Sequence, residues 1–312
     1  CKTLTRNGIV LNRRFVRSIL SASIVLISAV NASVQAANQV IIVKSSDNAY
    51  FNQTIRTLTS HVDPATRFKV VEASQLADAL SSPNPNDFYV ALGQSAVEAV
   101  DQLGSGTSSI NAYITLEQYH RLQPDDDLTI VLDQPMYRYL AFCKLMLGIE
   151  RVGIIGENEI DLDPEQMQIL NEFQLKLNQY RVDQANKLLP VLAELLSQND
   201  ALLMLPRQSI YNRDTLKGVL LSSYRNRKPA ISYSPAHVKT GALASIFSSP
   251  VDIGRHLALL LNRTFNKQAR TDSPLEFPRF YTIATNLRVA SALGIDLPGE
   301  HELRSRIDDL QP

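Results

Sequence analysis

A short run of β-branched or aromatic residues, a loop, then a stretch with helical spacing: this rhythm recurs from residue 39 onward and constrains the fold more than any other feature. Val40-Ile41-Ile42-Val43 reads as a buried strand, followed by a helix over 48–59. Further strands are expected at 68–71, 88–92, 110–114, 128–132, 151–156, 201–205, 230–233, 243–247 and 281–283. Helices are expected at 74–80, from Ser95, and over 135–147, 163–177, 188–196, 213–224, 251–261 and 287–293. Ser95-Ala96-Val97-Glu98 has the spacing of a capping box, and Asp163-Pro164-Glu165-Gln166 that of a capped helix start. Strands alternating with helices imply parallel sheets covered on both faces, and so many strands imply two lobes rather than one sheet.

The N-terminus reads as an export signal. Arg13-Arg14-Phe15-Val16-Arg17 is a basic start, and 18–30 is an apolar stretch too short for a span of about 20 residues. Val34-Gln35-Ala36 supplies the small residues of a cleavage site. Residues 1–36 are therefore expected to be a cleavable signal peptide directing the chain to the periplasm. Cleavage after Ala36 is preferred, with Ala32 as the alternative. Cys1 precedes a complete signal instead of following one, and no lipid anchor is inferred from it.

Charge sharpens the functional classes. Acidic and basic side chains balance at 31 each, yet the first 36 residues hold five of the cations and no acid. The remainder carries 26 basic against 31 acidic side chains, a surface that does not suit nucleic acid. Cys143, in an apolar helical stretch, is expected to be a buried, inert thiol. The five histidines show no metal-ligand spacing, and no nucleophile elbow or phosphate loop occurs. The run Asp125-Asp126-Asp127 lacks the spaced oxygen ligands of a calcium loop and reads as a solvated turn. No catalytic residue, metal or cofactor is expected.

Several segments carry a resemblance. These are Asp87-Phe88-Tyr89-Val90-Ala91-Leu92-Gly93, Asp133-Gln134-Pro135 with Arg151-Val152-Gly153-Ile154-Ile155, and Pro229-Ala230-Ile231-Ser232-Tyr233. Val238-Lys239-Thr240-Gly241-Ala242-Leu243, Asp252-Ile253-Gly254-Arg255 and Thr285-Asn286-Leu287 belong with them. Together they resemble the type I periplasmic binding proteins of the ABC-transporter substrate-binding family, over most of 39–300. That resemblance implies an α/β fold of two Rossmann-like lobes with parallel sheets joined by a three-segment hinge. Mapped on this sequence, lobe one is 37–149 plus 238–276, and lobe two is 150–237 plus 277–312. It implies a monomer that captures a small molecule, such as an amino acid or other carboxylate, and delivers it to an inner-membrane ABC permease. A sensor or adaptor that signals to a membrane receptor is the alternative. One departure stands out: where the family carries an Asp-Pro and a small-residue loop, this chain reads Thr115-Leu116-Glu117-Gln118-Tyr119-His120.

In open α/β sheets a ligand lies beyond the C-terminal strand ends, where helix N-termini offer unpaired N–H groups. That rule selects Ser45, Ser46, Gly93, Gln94, Ser95 and Thr115 in lobe one. In lobe two it selects Gly156, Glu157, Pro206 and Ser232, with Tyr233 as an aromatic wall. Gln134 is placed near the path between the lobes. Ser95 reads equally as a helix cap, and Tyr233 as a packed core residue.

Overall fold

The computed structural model describes residues 39–310, apart from 81–86, 105, 125–127, 159, 161, 163, 183–186 and 267–272. The expected signal segment 1–36, the Asp125–Asp127 run and the Asp163 cap lie outside the described residues.

Two six-stranded sheets carry the chain. The first holds β1 (Gln39–Lys44), β2 (Arg67–Glu72), β3 (Phe88–Leu92), β4 (Ser108–Ile114), β5 (Leu128–Val131) and the late β11 (Leu275–Glu276). Their order is β11-β5-β4-β3-β1-β2, parallel throughout. The second holds β6 (Arg151–Gly156), β7 (Lys176–Arg181), β8 (Ala201–Leu203), β9 (Ala230–Ser232), β10 (Ala244–Phe247) and β12 (Thr282–Thr285). Their order is β12-β10-β9-β8-β6-β7, with only β12 antiparallel, against β10.

Both faces of each sheet are covered, which is why central strands are apolar without interruption. In β1, Val40 and Ile42 join one core cluster while Ile41 and Val43 join another, because successive side chains point to opposite faces. The first face is covered by α1 (Ala49–Ser60) and α10 (Pro250–Phe265), the second by α2 (Leu76–Ala79) and α3 (Gln94–Asp101). In the second lobe α5 (Met136–Leu147), α6 (Pro164–Glu172), α11 (Leu287–Leu293) and α12 (Glu300–Asp308) pack on one face. Helices α7 (Leu188–Gln198), α8 (Leu216–Arg225) and α9 (Pro235–Thr240) cover the other. Cys143 is fully buried in α5, and burial pushes its thiol up to about 12.

The lobe boundaries shift from those expected. Residues 136–149, expected in lobe one, form α5, whose Tyr139, Leu140, Phe142 and Met146 pack with Val152 and Ile154 of the second sheet. The stretch 238–247 also belongs to the second lobe, because β10 pairs with β9 and β12. The chain therefore crosses between sheets at 132–135, 248–249 and 277–281, each time between an element of one sheet and an element packed on the other.

Other expectations change locally. The helix expected to run to Leu177 stops at Glu172: Gln174 turns left-handed (φ 50°) and the Leu175 N–H closes back on Leu170 O at 2.9 Å. Lys176–Arg181 then adds β7 at the sheet edge. The 115–120 segment is helix α4 (Leu116–Leu122), closed by a capping box between Thr115 and Gln118. The expected Ser95–Glu98 box does not form. Helix α3 starts one residue earlier, and its Ala96 N–H is capped by the Ser45 side chain at 3.0 Å.

Candidate functional site

A cavity of about 410 Å³ opens between the two sheets, within the usual range of about 300–1,000 Å³ for small-molecule sites. The strand ends place its walls. From the first lobe come Asn48 and Phe51 after β1, Tyr113 and Thr115 at the end of β4, and Leu132 after β5. From the second come Pro206 and Gln208 after β8, Tyr233 and Ser234 after β9, and Phe247 at the end of β10.

Five aromatic rings line the space: Tyr50, Phe51, Tyr113, Tyr233 and Phe247. Among the described residues, every polar side chain that joins them is an amide or a hydroxyl, and none that lines the cavity is charged. A solute entering this cleft meets ring faces and neutral hydrogen-bonding groups.

Tyr113 is the most constrained of the rings. The pairing of β4 with β5 slips between Ala112 and Ile114, and at this bulge Tyr113 adopts φ 63°. Bulges re-aim side chains next to functional sites, and a left-handed tyrosine persists only when its surroundings hold it. Here the Phe51 ring meets it edge-on at 5.0 Å, and its hydroxyl lies 2.5 Å from Thr54 Oγ1. Thr54 gives its single proton to Pro250 O at 3.0 Å, so Tyr113 is the donor in that pair. Burial pushes the Tyr113 phenol up to about 12, and it stays neutral.

Tyr233 answers from the second lobe. His237 meets its ring edge-on at 4.8 Å, and burial, followed by the nearby Asp133 charge, pushes its phenol up to about 12. Asp133 itself is buried beside the first crossing. It accepts from the Leu116 N–H at 2.7 Å and lies 3.8 Å from Arg207 of the second lobe. Burial raises its pKa, and the Leu116 N–H and Arg207 oppose that only in part.

The sequence-selected residues divide accordingly. Thr115, Pro206 and Tyr233 line the cleft. Ser45 is taken up as the cap of α3, and a Cβ on Gly93 (φ 92°) would meet its Oγ at 2.7 Å. Ser46 is exposed and accepts from Asn48 Nδ2 at 3.2 Å, while Ser95 is exposed outside the lining. Gln94 is held by Glu98, Gln118 and Arg121. Gly156 ends β6 and Glu157 follows it, both outside the cavity. Ser232 is fully buried: its Oγ lies 2.7 Å from His237 Nδ1 and accepts from the Ser234 N–H at 3.3 Å. Gln134 belongs to the hinge, buried and bonded to Ser248 and Arg138. Asn48, Tyr50, Phe51, Tyr113, Gln208, Ser234 and Phe247 were not singled out from the sequence. They sit at a strand end, up to seven residues past one, or at the bulge, with no local pattern to mark them.

Neither a protein-family model nor a curated protein matches the sequence. Solved structures do. The ligand-free, open structure of a substrate binding protein with adhesive properties from Clostridium difficile superimposes with a TM-score of 0.62 at 13% identity, covering 84% of this chain and 97% of that one. An ABC domain in complex with L-Trp from Streptococcus pneumonia gives 0.53 at 15% identity, covering 86% and 98%. The chain has the type I periplasmic binding protein fold. In this type I fold, the cleft described above is the space between the two lobes. Among the described residues no helix is long and apolar enough to cross a membrane.

Proposed function

We propose that this protein is an extracytoplasmic solute-binding protein that captures a flat-ringed small molecule between its lobes and presents the closed form to an ABC permease. The carrying observation is the cleft itself, with five aromatic rings contributed by both lobes and, among the described residues, no charged side chain in its lining. A ligand touching both lobes binds the closed arrangement better and shifts the population toward it. The L-Trp complex of the Streptococcus protein with the same fold supports a ring-bearing solute. If that solute is an amino acid or another carboxylate, its charged groups meet the hydroxyls and amides of Asn48, Thr115, Gln208, Ser234 and Ser248 rather than an ion pair. The capped helix α4, standing where the resembled family has an open loop, reshapes the rim and supports delivery to a membrane sensor as a second reading.

The chain contains eleven tyrosines and no tryptophan, so L-tryptophan is a direct optical probe. Excitation of tyrosine should sensitise bound L-tryptophan, and the signal should saturate and vanish in a Tyr113→Ala/Tyr233→Ala double variant. A thermal-shift screen of ring-bearing metabolites should in parallel give a stabilising hit, about 2.7 kcal/mol at a hundredfold excess over Kd. A screen without a hit, or a hit unaffected by the double variant, overturns the reading.

A further inference from the structure

A second cavity of about 280 Å³ lies against the hinge, and it shares no lining residue with the cleft. It is bounded by Pro135 at the first crossing and Arg138 in the first turn of α5, by Phe277, Pro278 and Arg279 at the third crossing, and by Arg263 of α10.

Its charges do not balance. His256 and Glu276, which also line it, face each other at 2.9 Å. The Arg279 N–H points to His256 Nδ1 at 3.4 Å, and the opposite ring nitrogen, Nε2, faces Glu276. Among the described lining residues Glu276 is the one carboxylate, against three guanidinium groups. Arg263 and Arg279 make no side-chain hydrogen bond or ion pair among the described residues.

Arg138 is the decisive case. Its side chain is buried, with 2% of the residue exposed, and every partner is neutral: Gln134 Oε1 at 2.7 Å, Pro278 O at 2.8 Å and Tyr137 Oη at 3.3 Å. The Tyr281 ring lies 4.6 Å from its guanidinium, and its Nε has no partner. A buried cation without a counter-ion is costly, and an anion in the adjoining cavity relieves that cost.

We propose that this hinge cavity binds a small organic anion, a carboxylate or phosphate monoester carrying a flat apolar body. The anionic group meets Arg263 and Arg279 at the rim with the Arg138 charge behind them. The body rests on Phe277, Tyr137 and Leu259, the last of which is 36% exposed. Because Arg138 also holds Gln134 and Pro278, the site adjoins two of the three crossings, and its occupant is placed to bias opening and closing.

The test is calorimetric titration of the whole protein with benzoate, phenyl phosphate and, as the neutral control, benzamide. Saturable, salt-weakened binding of at least one anion is expected, with none of benzamide. Affinity should fall at least tenfold in Arg263→Gln/Arg279→Gln, whose side chains are not buried, and in Leu259→Glu, which removes no cation. It should be unchanged in the cleft variant Tyr113→Ala/Tyr233→Ala, which separates this site from the proposed solute site. Absence of binding, equal binding of benzamide, or retained affinity in both hinge-cavity variants overturns the proposal.

Discussion

Gln134 Nε2 donates to Ser248 Oγ at 3.0 Å and thereby ties the first crossing of the hinge to the second. Ser248 in turn donates to Phe280 O on the third crossing at 2.7 Å. Arg138 closes the group by holding both Gln134 Oε1 and Pro278 O. Three chain passages that are distant in sequence are thus tied by one partly buried polar network.

Replacing Gln134 with leucine removes the donor to Ser248 and one acceptor of a buried guanidinium. A loss of about 1–3 kcal/mol is expected, the range for orphaning a buried polar group. Urea denaturation of the variant measures it, and an unchanged midpoint would show that water replaces the amide at no cost.

Tyr113 combines a left-handed backbone with a ring in the cleft. Tyr113→Phe keeps the ring and loses only the bond to Thr54, so solute affinity should change little while stability drops by about 1 kcal/mol. Tyr113→Ala loses the ring, and an aromatic contact of about 0.5–1.5 kcal/mol corresponds to weakening of up to about tenfold. Titration of both variants with the same solute decides the matter: equal affinities would remove Tyr113 from the site.

The fold was readable because its determinants are local. Val40-Ile41-Ile42-Val43 carries its own burial pattern, and Asn286 caps α11 within three residues by accepting from the Val289 N–H. The site was not, because its rings arrive from separate strand ends and meet only in space. Tyr113 reaches the cleft through a bulge that depends on β5 as well as β4. Ser232 illustrates the opposite error: it stands at a strand end as the ligand rule requires, but its hydroxyl is committed to His237. Strand β7 was missed because Lys176–Arg181 is a polar edge segment following a helix whose apolar spacing runs on through Phe173 and Leu177.

Asp133 makes a pH-dependent prediction. Burial raises its folded-state pKa, so the folded protein holds that proton more tightly than the unfolded chain. The resulting stabilisation is complete below the ordinary carboxylate pKa of 3.8 and is lost as pH rises through the raised value. At neutral pH the carboxylate is a net liability. Asp133→Asn keeps an oxygen for the Leu116 N–H, so it should be more stable than the parent at pH 7 and lose that advantage near pH 4. Chemical denaturation at the two pH values tests this. A variant less stable at pH 7 would mean that the Arg207 attraction outweighs burial.

Two helical glycines should respond in opposite directions to the same substitution. Helix α10 rests so closely on α1 that a Cβ at Gly254 would lie 2.7 Å from Thr57 Cβ and 2.8 Å from the Thr54 carbonyl oxygen. A backbone oxygen cannot rotate away, so the helices must separate, and Gly254→Ala should cost about 1–3 kcal/mol. The same shift would disturb the cleft, because Thr54 anchors the Tyr113 hydroxyl. A Cβ at Gly218, in α8, meets nothing within 4 Å. There the only change is helix propensity, and Gly218→Ala should gain about 0.8–1.0 kcal/mol. Thermal melts of the pair measure both, and a Gly254→Ala protein as stable as the parent would refute the close approach of α1 and α10.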